Sequence, residues 1–193
     1  MASIPQAHLT PEEYLVRERA AEFKSEYVDG VALAMAGASE RHNRIVANLI
    51  MALGPQLRKG PCRIYPSDLK VRVSNRFYYP DVSVISGQTV FADEKEDVVL
   101  NPSLIIEVLS PSTMAYDRGP KFLSYQQLPS LQDYLLIYQE EELVEHYRRC
   151  PPNAWLYTKN VGRESVIEIP SLGCQFSLAD VYPEESTGPG ESI

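Results

Sequence analysis

Cysteine is scarce in this chain. Cys62, Cys150 and Cys174 stand far apart and form no Cys-x-x-Cys pair, which argues against a thiolate zinc site and fits a reducing, cytoplasmic setting. Long apolar runs are also missing, and none approaches membrane-spanning length. The Met1-Ala2-Ser3-Ile4-Pro5 start has neither the basic nor the apolar region of a secretory signal. Acid is nearly absent from residues 41–80. There Arg41, Arg44, Arg58, Lys59, Arg63, Lys70, Arg72 and Arg76 face only Asp68. The acids that make the net charge −8 lie elsewhere, among them Asp180, Glu184, Glu185 and Glu191. The net charge alone counts against a nucleic-acid partner, but a local basic face can still meet phosphate. A solvated helix face explains the same run equally well.

What is present is ordinary for a globular protein: 44% hydrophobic and 23% charged residues over 193 positions, with no internal repeat. The expectation is one domain over residues 1–182 and an acidic, flexible tail over 183–193, rich in Pro, Gly, Glu and Ser. Thr10-Pro11-Glu12-Glu13 starts a helix that should run to about Ala21. Asp29-Gly30 favours a tight hairpin turn between strands Glu22–Val28 and Val31–Ala36. Ser39 caps the longest helix, whose stripe is Ile45, Val46, Leu49, Ile50, Leu53 and Leu57, with Gly54-Pro55 bending or interrupting its last part.

Strands are expected at Arg63–Tyr65, Leu69–Val73 and Tyr78–Ile85, with a turn at Ser74-Asn75-Arg76. Residues 86–98 read as a polar surface connection. Leu104–Leu109 reads as a central strand, apolar on both faces. A helix should cover Arg118–Gln127, interrupted early by Pro120. Strands at Tyr134–Tyr138, Leu143–Arg148 and Ala154–Thr158 follow, with one more at Val166–Ile169. This order gives an α/β domain with a mixed sheet and helices on its faces.

Two of these strands each carry one carboxylate: Asp81 in Tyr79-Pro80-Asp81-Val82-Ser83-Val84-Ile85, and Glu107 in Leu104-Ile105-Ile106-Glu107-Val108-Leu109. A buried carboxylate is costly unless it is paired or holds a metal. Adjacent strands could bring the two together, where they repel unless a cation lies between them. Hard oxygen donors with open water positions suit Mg²⁺ or Mn²⁺. Lys121, on the helix after the second strand, could orient or polarise an attacking water or balance phosphate charge. Asp81 could instead bond turn amides, and Glu107 could form a buried ion pair with Lys121 or Arg118. His42 falls on the apolar face of the long helix, as a packed core histidine or a neighbour of the site. Arg41, Arg44, Lys70 and Arg72 are the candidates for nucleic-acid backbone contact.

These residues also carry a family resemblance. Leu9-Thr10-Pro11-Glu12-Glu13-Tyr14, Glu26-Tyr27-Val28-Asp29-Gly30, Ser39 with His42, and Tyr79-Pro80-Asp81-Val82 take part. So do Ile106-Glu107-Val108-Leu109-Ser110-Pro111-Ser112-Thr113, Asp117-Arg118 with Lys121, and Tyr125. The pattern resembles the PD-(D/E)XK nuclease superfamily, and more closely the Uma family of restriction-endonuclease-like proteins common in cyanobacteria. It spans about residues 9–150.

The resemblance implies a restriction-endonuclease-like α/β fold, a mixed central sheet flanked by helices with additional antiparallel strands. It implies Mg²⁺- or Mn²⁺-dependent hydrolysis of phosphodiester bonds, with DNA as the expected partner. Asp81 and Glu107 would be metal ligands and, with Lys121, the catalytic set. The superfamily lysine stands two positions after the second acid. Here that position is Leu109, and the implied role passes to Lys121. Glu26 matches an acidic position of the family, as a further ligand or a group supporting the ligands, although its place near the end of a strand reads more simply as an exposed glutamate. A catalytically idle module binding nucleic acid or a protein is the alternative. A homodimer built on Leu143–Thr158 is compatible with both.

Overall fold

The computed structural model describes residues 8–182, so the expected acidic tail lies outside the described residues. Helix α1 (Pro11–Glu18) starts where the capping residues predict. Thr10 accepts the Glu13 N–H at 3.2 Å, and the Glu13 carboxylate takes the Thr10 N–H at 2.9 Å. It ends three residues before the expected Ala21, and the Glu18 carboxylate turns to the Ser25 N–H at 2.9 Å. Strands β1 (Ser25–Val28) and β2 (Val31–Ala34) form the hairpin, both shorter than expected. Its turn residues Asp29 and Gly30 have φ of 49° and 94°, the left-handed geometry that a tight hairpin turn needs.

Helix α2 (Glu40–Leu57) buries Ile45, Leu49, Leu53 and Leu57. It continues through Gly54-Pro55 without a break, which corrects the expected interruption. Pro55 cannot bond the Met51 carbonyl, but Met51 is exposed, so water can satisfy that group.

The most informative difference lies at Tyr79-Pro80-Asp81. The run Tyr78–Ile85, expected to be one strand, is two strands in different sheets. Strand β5 (Arg76–Tyr78) belongs to a five-stranded sheet with the hairpin, β4 (Lys70–Val73) and β7 (Val98–Val99), in the order β2-β1-β5-β4-β7. Strand β6 (Val82–Ser86) belongs to a six-stranded sheet with β3 (Cys62–Pro66), β8 (Leu104–Leu109), β9 (Asp133–Tyr138), β10 (Leu143–Cys150) and β11 (Ala154–Val161). That order is β11-β10-β9-β8-β6-β3. Pro80 offers no N–H to a ladder, so pairing stops there and the chain crosses between sheets. Asp81 therefore sits at a corner. The 86–98 connection is not wholly loop, since β7 pairs parallel to β4.

In the six-stranded sheet β8 runs antiparallel to β6 and parallel to β9, so the sheet is mixed. All six β8 residues are buried. Alternation sends Leu104, Ile106 and Val108 into one core with α2, and Ile105 and Leu109 into a second core with Phe122, Tyr125 and Tyr134. Glu107 follows the second set.

That second face is covered by α3 (Met114–Tyr116), a π-helical turn (Asp117–Lys121) and α4 (Phe122–Tyr125). The helix thus starts earlier than the expected Arg118. Pro120 has no N–H for the Tyr116 carbonyl, and the widened π turn passes over this gap. Besides β7, two elements lie beyond the expectation. Strand β13 (Cys174–Ser177) pairs with β12 (Val166–Ile169), and α5 (Leu178–Val181) follows a capping box made by Ser177 and Asp180. Among the described residues no helix is long and apolar enough to cross a membrane.

Candidate functional site

The corner after Pro80 points Asp81 at the end of β8. Asp81 Oδ2 accepts the Val108 N–H at 2.7 Å, continuing the ladder with a side chain where the backbone pairing has ended. The same oxygen lies 3.2 Å from His42 Nε2. His42 stands in the first turn of α2, where the Ser39 hydroxyl accepts its N–H at 3.1 Å. Ser39 also donates to Gln139 Oε1 at 2.9 Å, tying the helix start to the residue after β9. The register that pairs Val82 with Ile106 sets Asp81 beside Glu107, one step beyond the ladder.

Glu107 is 3% exposed. Its Oε1 lies 2.9 Å from Lys121 Nζ and accepts the Tyr125 hydroxyl at 3.1 Å. Lys121, 5% exposed, drops from the π turn. Its ammonium is also 2.9 Å from Glu26 Oε1 and 3.6 Å from Asp117 Oδ1. Glu26 comes from β1 of the other sheet and takes the Tyr79 N–H at 3.2 Å. Lys121 therefore bridges the two sheets through one carboxylate on each.

Acid outnumbers base in this cluster. Burial pushes the Glu107 carboxyl well above the usual carboxylate range, and Asp117, Asp81 and Glu26 add to it against the pull of Lys121. Burial likewise raises Asp117. Burial alone would lower the Lys121 ammonium, but Glu107, Tyr125, Glu26 and Asp117 together hold it well above its ordinary value. For His42 burial again pulls downward, and the bond to Asp81 outweighs it, so the imidazolium is favoured.

That sign makes a test. A raised histidine stabilises the fold fully below its unfolded value near 6.5, and this contribution is lost as pH rises through the folded value. His42→Ala should cost about 1.5–3 kcal/mol at pH 6, the usual worth of a hydrogen bond to a charged group, and visibly less at pH 9. Urea unfolding at the two pH values measures this. An equal loss at both would mean that His42 carries no extra charge.

Oxygen-rich chemistry and unbalanced negative charge fit a hard divalent cation. Among the described residues no three acidic, histidine or cysteine side chains already form a metal cage. Mg²⁺ does not require one, because it keeps several waters and takes one or two carboxylates. Asp81 and Glu107, set beside each other by the β6–β8 register, are two carboxylates that could hold such a cation.

The expected backbone contacts are scattered. Arg44 pairs with Glu40 one helical turn away, and Arg41 stands beside His42 on α2. Lys70 is buried on β4 with its ammonium 3.0 Å from Asp97, so its charge is held inside the protein. Arg72 donates to the Ser74 carbonyl at 2.8 Å and lies over the Phe77 ring. Asp117 and Tyr125, matched only through the family pattern, both touch the cluster. The spacing of Asp117 four residues before Lys121 is a signal that could have found it. Glu18 also lies nearby, bonded by the Tyr79 hydroxyl at 2.9 Å, and nothing in its sequence context marks it.

Two β-sheets bridged through a lysine, with a carboxylate at a strand corner beside another on the central strand, define an α/β fold of a known kind. A crystal structure from Anabaena variabilis, described as "a putative nuclease belonging to DUF820", shares it. The TM-score is 0.75 over 90% of this chain and 97% of that one, at 20% identity. The chain belongs to the family Uma2, described as "Putative restriction endonuclease", whose profile matches residues 11–180. Two uncharacterised proteins of Synechocystis sp. are similar to it. One is 41% identical over 162 residues, covering 83% of this chain and 92% of its own length. The other is 39% identical over 183 residues, covering 93% and 94%.

Proposed function

We propose that this protein is a divalent-metal-dependent nuclease that hydrolyses phosphodiester bonds, with DNA as its substrate. The observation that carries the reading is the 2.9 Å approach of Lys121 Nζ to Glu107 Oε1, on a carboxylate that the β6–β8 register sets beside Asp81. Leu109 occupies the position where the superfamily has lysine, and it is packed into the core. Lys121 reaches the same carboxylate from the neighbouring helix.

Asp81 and Glu107 would hold Mg²⁺ or Mn²⁺. Bound there, the cation would polarise a phosphoryl oxygen and make a nearby water more acidic. The protein's own groups do the rest. His42 and the Val108 amide fix the Asp81 carboxylate in one orientation. Tyr125 and Lys121 fix Glu107, and Lys121 pulls against the burial that raises its carboxyl. The Lys121 ammonium is the group placed to orient the attacking water or to offset charge on the phosphate. Attack forms a new O–P bond, the P–O bond to the leaving oxygen breaks, and the water's proton is taken up by the solvent or a site carboxylate.

Supercoiled plasmid incubated with Mg²⁺ or Mn²⁺ tests the reading. Nicking by the wild type that is lost in Asp81→Ala is the expected result, and equal cleavage by both overturns it. One observation favours a second reading. Glu107 and Lys121 are almost fully enclosed and mutually paired, as a structural ion-pair cluster in a binding module would be. Calorimetry separates the two, since absence of Mn²⁺ binding at millimolar metal favours the module.

A further inference from the structure

A second buried carboxylate stands in line with Glu107. The registers pair Glu107 with Leu136 and Leu136 with Glu145, so the three form one row across β8, β9 and β10. Glu145 lies two strand spacings from Glu107, about 10 Å away, on the same face of the sheet. It is 2% exposed. Its Oε1 accepts Arg118 Nη2 at 2.9 Å, the Tyr138 hydroxyl at 3.1 Å and the Tyr157 hydroxyl at 3.2 Å, and its Oε2 accepts the Tyr147 hydroxyl at 3.4 Å.

The π turn thus lays two cations on two carboxylates of one row: Lys121 on Glu107 and, three residues earlier, Arg118 on Glu145. The two cations differ in exposure. Lys121 is enclosed, whereas 44% of the Arg118 side-chain surface is open. The tyrosines alone supply three neutral donors to Glu145. The guanidinium gains a fixed orientation from that carboxylate while much of it still faces solvent.

We propose that Arg118 binds a backbone phosphate of the nucleic acid, and that Glu145, with Tyr138, Tyr147 and Tyr157, is the positioning group that holds it. This rests on the nuclease reading of the neighbouring cluster. Charge supplies the need: Asp81, Glu107, Asp117 and Glu26 make the site acidic and would repel a polyanion. A fixed cation about two strands from Glu107 offsets that repulsion on the approaching strand. Arginine suits the task because its planar fork can grip carboxylate on one edge and phosphate on another.

Fluorescence anisotropy of a labelled DNA duplex, titrated with the full chain in EDTA over a range of NaCl, tests this without cleavage. Arg118→Gln should weaken binding roughly tenfold at low salt. It should also reduce the slope of log affinity against log salt by about 1, the loss of one phosphate contact. Arg118→Lys keeps the charge and should keep the slope, with a loss of only a few fold. Wild-type affinity and slope in Arg118→Gln overturn the inference. So does weaker binding at an unchanged slope with a lower melting temperature, which marks a purely structural ion pair. If Arg118→Gln does not fold, Arg118→Lys decides: a loss of a few fold supports the inference and unchanged affinity overturns it. DNA that the wild type does not bind at all also overturns it. The two readings fail separately. A protein that nicks plasmid with Mg²⁺ while Arg118→Gln binds DNA like the wild type loses only this inference. One that never nicks but shows the Arg118-dependent slope loses only the nuclease chemistry.

Discussion

Glu107→Gln should reduce Mg²⁺-dependent plasmid cleavage by about a thousandfold while leaving the protein as stable as the wild type or more so. The activity loss follows from charge. Glutamine keeps the shape of Glu107 and an oxygen for the Tyr125 hydroxyl and Lys121, but a neutral amide is a poor partner for Mg²⁺. A metal is worth several kcal/mol to a phosphoryl transition state, and about 4 kcal/mol is close to three powers of ten in rate.

The stability half follows from burial. The Glu107 carboxyl is held well above its ordinary value of 4.5. Such a group contributes its stability fully below the unfolded value and loses it as pH rises toward the folded one. The amide has no proton to lose, so the variant's urea midpoint should fall less steeply with rising pH than the wild type's. Lys121 keeps Glu26 and Asp117 as partners. Unimpaired cleavage by Glu107→Gln would remove Glu107 from the chemistry. Lost cleavage together with a large loss of stability would mean that its role is structural.

Glu107 was legible in the sequence because it interrupts an apolar strand run, and burial shows in a local pattern, whereas Asp81, read the same way, stands half-buried at a corner between two strands. Lys121 was legible through the helix that must cover the central strand. The break at Pro80 was half legible. Proline signals the end of a ladder, yet nothing local tells which sheet receives Tyr78 and which receives Val82. That depends on β1 and β8, far away in the chain. For the same reason Glu26 read as an exposed strand residue although it is buried against Lys121. The basic stretch Arg41–Arg76 read as one face. Its members in fact fall on α2, the turn that follows it, β3, β4 and β5, with Lys70 turned inward, because sequence proximity across several elements does not imply a shared surface. Glu145 gave no signal at all. Its row with Glu107 exists only through two strand registers.

Lys121→Met should be the most destabilising single change at the site, by about 3–5 kcal/mol at pH 8, because removing one member of a buried ion pair strands its partners. Here the stranded groups are Glu26, Glu107 and Asp117, carboxylates from three elements around one ammonium. Methionine keeps most of the length and apolar stem, so packing changes little. The pH dependence separates charge from packing. In the wild type the raised Lys121 contributes fully below its unfolded value near 10.5, and this is lost only as pH rises through the higher folded value. Its contribution is therefore constant between pH 5 and 8.

In the variant the carboxylates are deprived of the ammonium and bind protons more tightly in the folded chain than in the unfolded one. Stability then falls as pH rises. Urea unfolding should show the deficit shrinking markedly from pH 8 to pH 5. A deficit equal at both pH values would mean a packing defect and would remove the charge imbalance from the account of this site. The same imbalance predicts the response to metal. A divalent cation that binds the folded cluster competes with the proton on Glu107, so Mg²⁺ should raise the melting temperature more at pH 8 than at pH 5. The methionine variant should still show that rise, because its carboxylates remain and the Lys121 ammonium is gone.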